Sequence, residues 1–177
     1  MKMLFEKNSR EMLRSARVGK ICESIAKKMN LSQEVIESIK MTGMLHDIGK
    51  IGVDELILNK RGKLDEREWK EVKKHTEIGY RILSASSEFI IFADDILKHH
   101  ERIDGKGYPK GIKGDEISLT AKIISIADTY DALTSDRTYH SASSEEVAIK
   151  EIVKSSGTQF DPTIVNVFVN LLREQRI

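Results

Sequence analysis

An all-α fold is predicted by three features of this sequence. Apolar residues recur at helical spacing, while no stretch alternates convincingly with the period of two expected of a strand. Prolines number only two and aromatic residues make up 6% of the chain, whereas Leu, Ile, Glu and Lys are abundant. Serine or aspartate followed three residues later by glutamate recurs ahead of apolar runs, a signature of helix N-termini. At 177 residues the chain suits one domain, 1–177, with its core over roughly 9–175.

The first helix is expected over about 9–29, with Val18, Ile21, Cys22, Ile25, Ala26 and Met29 as its stripe and Asn30 as its stop. Extending that stripe back by four residues lands on Arg14. An arginine on an inward face needs an anionic partner, or else snorkels to solvent near the helix end. Cys22 reads as buried filler; as the single cysteine it excludes a disulfide framework and a cysteine zinc cluster. Ser32 is expected to cap a second helix ending near Gly49, with a buried stripe of Val35, Ile36, Ile39, Thr42 and His46 and with Asp47 near the same face. Residues 51–64 read as a loop turning at Lys60-Arg61-Gly62-Lys63.

Asp65-x-x-Glu68 opens a third helix on which Val72, His75, Gly79 and Ile82 share a face. A fourth runs over 88–100 and sets His99 and His100 on rows with Phe92, Ala93 and Ile96. Four glycines and a proline make 101–116 a loop. Ser118 caps an apolar fifth helix in which Asp128 and Asp131 follow Ile124 on one face. Ser143-x-x-Glu146 opens the next helix, and Asp161-Pro162 opens the last, over 161–176. Its row of Ile164, Val165, Phe168, Val169, Leu171 and Leu172 reads as core packing.

A net charge of +1 supplies no bulk field for a nucleic-acid polymer or a membrane surface. No apolar run reaches the length of a membrane span, and residues 1–10 lack a signal-peptide core, so a cytoplasmic location is expected.

Four of the five histidines, His46, His75, His99 and His100, end or interrupt apolar stripes, as do Asp47 and Asp128. A lone inward histidine is usually a satisfied core residue. Four histidines with two aspartates, all facing inward, are hard to satisfy by mutual hydrogen bonds, and a divalent cation neutralises such a set efficiently. The mixture suits iron, manganese or zinc, without the thiolates of a structural zinc site. Two metals bridged by a carboxylate suit this many ligands, and such a pair clamps a phosphodiester.

His46-Asp47-Ile48-Gly49-Lys50, then His75, HHERIDGKGYP (99–109) and IADTYDALTSDRTY (126–139) together resemble the HD-GYP family of the HD superfamily. The resemblance implies a single all-α domain of about seven helices with a Gly-rich GYP loop. It implies a phosphodiesterase that hydrolyses cyclic di-GMP to pGpG, and in some members on to GMP, by attack of a metal-bridging hydroxide. Two divalent ions are expected, iron or manganese first, with zinc, magnesium, nickel or cobalt as alternatives. Carried across, Asp47 would bridge both ions, His46 and Asp128 would serve the first, and His75, His99 and His100 the second. Lys50 would hold a phosphate or the attacking water. Gly107, Tyr108 and Pro109 would form the lip, and Asp131, Arg137 and His140 would grip guanine and phosphate.

The pattern departs from the family in the first helix. The family's usual histidine, three residues before an Arg-Val pair, is here Arg14 before Arg17-Val18, and Arg10 stands where some members carry a third-metal glutamate. Arginine cannot ligate a metal, so the first site is expected to be weakened and a third absent. His140 replaces a basic residue common after the tyrosine, and Lys122 an arginine ahead of Asp128. Three readings follow: a working phosphodiesterase; a degenerate domain that binds cyclic di-GMP or a protein partner; or a hydrolase of another cyclic dinucleotide. Partner proteins would dock on the GYP loop, and a homodimer could form through the first and last helices. Domains of this kind usually sit behind a sensory or receiver segment, which this stretch does not contain.

Overall fold

The computed structural model of the chain describes residues 9–60, 62–135 and 142–175. Among them lie nine α-helices and no strand, only an isolated bridge between Ser156 and Phe160. In chain order these are α1 (Ser9–Lys28), α2 (Gln33–Leu45), α3 (Glu55–Leu58), α4 (Glu66–Lys73), α5 (His75–Ser84), α6 (Ile90–Lys98), α7 (Leu119–Thr134), α8 (Glu145–Lys154) and α9 (Pro162–Gln175). Two 3₁₀ turns, Ile48–Gly52 and Gly114–Glu116, complete the regular structure. The all-α expectation therefore holds for the described residues, none of whose helices is long and apolar enough to cross a membrane.

Helix α1 is the pillar of the fold and packs against α2, α7 and α9. Its stripe of Val18, Cys22, Ile25 and Ala26 meets Ile36 and Ile39 of α2, Ile123 and Ile126 of α7, Ile152 of α8 and Phe168 of α9. Burial pushes the Cys22 thiol far up, so it is inert filler, as its place on the stripe suggests. A smaller apolar cluster joins Leu45 to Leu83, Phe92, Ala93 and Ile96. Each fully buried side chain of this size stabilises the fold by about 1.5–3 kcal/mol, so both clusters are firm footings. His46 follows Leu45 and His99 lies three past Ile96 in the small cluster, while Asp128 follows Ala127 in the large one. The polar residues thus line the seam where the two cores meet.

The elements depart from expectation at several boundaries, each with a local cause. Helix α2 stops at Leu45 with His46 at its C-cap rather than running to Gly49, and the chain tightens into the 3₁₀ turn that aims Asp47 and Lys50. Ser32 takes the N-cap backbone conformation without a side-chain cap bond, and Val35 is exposed. The expected loop 51–64 contains α3, because the Asp54 carboxylate accepts from Leu56 N at 2.8 Å. The third helix breaks at Lys74 into α4, with its capping box at Asp65 and Glu68, and α5. The fourth is α6 alone, with His99 at its C-cap and His100 beyond. Ser144, not Ser143, caps α8: the Ser143 amide donates to Leu133 O at 2.8 Å, which ties that residue to the end of α7. Helix α9 keeps its expected cap, Asp161, whose carboxylate accepts from Thr163 N at 2.9 Å.

Gly49 is the tightest point between the 3₁₀ turn and α5. A Cβ there would lie 1.8 Å from His75 O and 2.5 Å from Gly79 N, both backbone atoms that cannot give way. Gly49→Ala is expected to destabilise the fold by about 3 kcal/mol or more, read as a lowered urea midpoint. An unchanged midpoint would show that α5 is not locked to the turn.

Candidate metal centre

Helix ends position the site. His46 caps α2, His75 opens α5 and His99 caps α6, and each ring Nδ1 lies within hydrogen-bond distance of the carbonyl three residues before it. The distances are 2.8 Å to Gly43 O, 2.7 Å to Val72 O and 2.6 Å to Ile96 O. A carbonyl only accepts, so Nδ1 must carry the proton, and in the neutral ring Nε2 carries a lone pair. This is how metal-binding histidines are held: the outer nitrogen is anchored and the inner one is presented.

On one side of Asp47, donor atoms of Asp47, His75, His99 and His100 all lie within 4.8 Å of one another. Burial lowers the pKa of all three histidines, with neighbouring rings adding to the effect for His99 and His100; His100 falls to about 3 and His99 well below the usual range. They are therefore neutral near pH 7. The Nε2 atoms of His75 and His99 face each other at 3.5 Å. With both Nδ1 atoms protonated, two lone pairs are opposed in a buried space, an arrangement that a cation resolves. Histidine nitrogens and a carboxylate oxygen are suited to a divalent transition metal, so these residues fit one.

On the other side, donor atoms of His46, Asp47 and Asp128 form a second group. Here a cation of the chain is already in place. Arg14 Nη1 donates to Asp47 Oδ2 at 2.5 Å and Nη2 donates to Asp128 Oδ1. Its Nε is buried without a hydrogen-bond partner among the described residues, 3.7 Å from Asp131 Oδ2. Burial works against this guanidinium, but Asp47 and Asp128 hold its pKa above the ordinary value. His46 Nε2 lies 3.0 Å from Asp47 Oδ2 and 3.3 Å from Asp128 Oδ1. Burial disfavours its charge, yet the two carboxylates lift its pKa to about 9. Lys50 Nζ adds a further contact, 2.7 Å from Asp47 Oδ2 and 3.2 Å from Glu11 Oε2. Of the two alternatives for Arg14, the anionic partner is the one found.

The GYP loop folds over the histidine side. A Cβ on Gly107 would lie 2.4 Å from Arg102 N and 2.6 Å from His100 O, so only glycine allows this close return. Tyr108 N donates to His100 O at 3.3 Å, and the Tyr108 ring stacks on His100 with centroids 4.8 Å apart. Pro109 is exposed, following a cis peptide bond. Lys73 Nζ lies 5.2 Å from the centre of the Tyr108 ring and 5.6 Å from that of Trp69. Buried Glu101 anchors the loop: its Oε1 accepts from Lys110 N at 2.6 Å and Gly111 N at 3.1 Å. Arg102 pairs with Asp104 and reaches Gln159 Oε1 at 3.0 Å, which ties the loop to the turn before α9.

The structure thus brings together His46, Asp47, Lys50, His75, His99, His100 and Asp128, with Gly107, Tyr108 and Pro109 at the rim. Asp131 is buried and accepts from Arg17 at 2.5 and 3.1 Å, so a guanine would have to compete with an arginine for it. Arg137, His140 and the Arg10 side chain lie outside the described residues. Sequence reasoning named no role for Glu101, Lys73, Trp69 or Glu11. Glu101 had one signal, an acidic residue directly after a histidine pair; the others meet the site only through folding. Glu101→Ala is expected to speed amide exchange at Lys110 and Gly111 by roughly tenfold or more, since each lost charged hydrogen bond is worth about 1.5–3 kcal/mol. Unchanged exchange would show that another contact anchors the loop.

The HD domain model matches residues 1–164 of this chain. A cyclic di-GMP phosphodiesterase of Thermotoga maritima is 42% identical over 160 residues, covering 89% of this chain and 44% of that protein. A 3′3′-cGAMP-specific phosphodiesterase 3 of Vibrio cholerae is 40% identical over 148 residues, covering 84% of this chain and 32% of that protein. The chain spans less than half the length of these curated relatives. Among solved structures, an HDG"Y"P protein from Bdellovibrio bacteriovorus superposes with a TM-score of 0.75, covering 95% of this chain and 54% of that one; at 18% identity the likeness is one of fold. Because the family model spans nearly all of the sequence and the GYP loop is built around the histidine pair, the chain belongs to the HD domain family as an HD-GYP domain.

Proposed function

We propose that this domain is a metal-dependent phosphodiesterase that opens a cyclic dinucleotide, cyclic di-GMP first, to the linear product pGpG. The observation that carries this reading is the buried pair of histidine Nε2 atoms facing each other at 3.5 Å beside Asp47 and His100. Relatives named as cyclic di-GMP and 3′3′-cGAMP phosphodiesterases, matched over most of this chain, support the substrate class. Asp47, His75, His99 and His100 would hold the ion, iron or manganese being the best match to imidazole and carboxylate donors. When bound, such an ion lowers the pKa of a coordinated water and polarises a phosphoryl oxygen.

The chain's own residues supply the rest. Carbonyl anchors orient His75 and His99, the Tyr108 ring stacks on His100, and lowered pKa values keep all three unprotonated and able to ligate. Lys50 and Arg14 place positive charge beside the Asp47 carboxylate, where a phosphate approaching the ion would meet it. Trp69, exposed on α4 across Lys73 from Tyr108, offers a purine a face to stack on. Water attacks phosphorus opposite the 3′ oxygen; the P–O3′ bond breaks and the sugar oxygen takes up a proton.

The Arg14 clamp favours a second reading, in which the domain binds a cyclic dinucleotide, or docks a partner protein through the GYP loop, without turnover. With Mn(II) or Fe(II), the first reading expects hydrolysis of cyclic di-GMP that chelation abolishes and that His99→Ala lowers in kcat/KM by about 100-fold or more. Binding without product would favour the second reading, and faster turnover of 3′3′-cGAMP would replace the substrate.

A further inference from the structure

We infer that this site is built for one divalent ion rather than two, with the Arg14 guanidinium standing as a fixed cation in the place of the second. The inference rests on the metal-dependent reading above and concerns how many ions that reading requires. A second ion would need Asp47 Oδ2, Asp128 Oδ1 and His46 Nε2, the inner atoms of the His46, Asp47 and Asp128 group. Both carboxylate oxygens are already taken: Nη1 of Arg14 is 2.5 Å from the first and Nη2 donates to the second.

This is not a loose surface contact that an ion could displace without loss. The Arg14 side chain is only 15% exposed, and its Nε is buried 3.7 Å from Asp131 Oδ2. Asp131 is itself fixed by Arg17 through two hydrogen bonds and by Ser135 Oγ at 3.2 Å. Four acidic side chains therefore close around one guanidinium: Asp47, Asp128, Asp131 and, at 3.9 Å, Glu11. Arginine keeps its charge at every accessible pH and offers no lone pair, so it can neither step aside by deprotonation nor join a coordination shell. A divalent ion entering this group would meet a like charge at contact distance.

The two oxygens of Asp47 divide accordingly. Oδ2 faces Arg14, Lys50 and His46, whereas Oδ1 lies 3.5 Å from His75 Nε2 and is the oxygen left for the histidine side. Arg14 is then a positioning residue as well as a charge: by holding Oδ2 it turns Oδ1 toward His75, His99 and His100.

Metal content and Mn(II) electron paramagnetic resonance test this directly on the parent chain, loaded with excess Mn(II) and desalted. One ion per chain with the spectrum of an isolated Mn(II) is expected. Two ions per chain, a spectrum of an exchange-coupled pair, or no retained ion would each overturn the inference. Arg14→His, which exchanges the cation for a ligand, is expected to double the metal content and to bring in the coupled spectrum; a folded variant that stays at one ion would overturn the claim that Arg14 excludes the second. The parent-chain measurement needs no variant to fold. Neither readout involves turnover: one ion without hydrolysis overturns the proposed function alone, and hydrolysis with two ions overturns this inference alone.

Discussion

The buried carboxylate of Asp47 faces two ways, and the rest of the centre is arranged around that division. One oxygen is held by Arg14 and Lys50, and the other opens toward three neutral imidazoles. Removing one partner of a buried ion pair typically costs about 3–5 kcal/mol, because an uncompensated charge is left inside. The position of Asp47 is therefore set by strong local forces rather than by the shape of the cavity. Burial alone would raise its pKa; His46, Lys50 and Arg14 overcome that and hold it well below the ordinary carboxylate range.

The histidines are held by a different device. Three of the four hang from the carbonyl one turn earlier, at places where a helix has just ended or is about to begin. Helix ends leave carbonyls without intrahelical partners, and here ring N–H groups lie against those oxygens. The break at Lys74 belongs to this scheme: a straight third helix would carry His75 as one more ring on a continuous face, whereas the break makes it the first residue of α5, with its ring reaching back to Val72. The GYP loop completes the enclosure through Gly107 and Glu101, so that the aromatic rim and His100 form one stacked unit.

Much of this was legible in the sequence because it depends on period and residue type. The inward histidines, Asp47, Asp128 and Arg14 all follow from stripes of apolar residues at helical spacing, and most stripe residues of α1, α2 and α9 are buried, with Ile21, Met29 and Leu171 partly so. What stayed hidden depends on contacts between distant segments. No periodicity shows that Ser143 is tied to Leu133, which moves the α8 cap by one residue, or that the break after α4 turns His75. Nor does spacing reveal that Asp131 pairs with Arg17, more than a hundred residues earlier in the chain. Val35 illustrates the converse: its spacing places it in the buried stripe of α2, yet it is exposed.

The guanidinium between Asp47 and Asp128 also bears on how the domain endures without metal. In a centre made only of ligands, loss of the ions leaves carboxylates opposed inside the protein, so folding and loading are tightly linked. Here the acidic half of the centre carries its own counter-charge through a covalent part of the chain. Emptying the centre leaves only the neutral imidazole half to relax. The charge balance of Asp47 and Asp128 is thereby set by the fold itself rather than by the supply of metal.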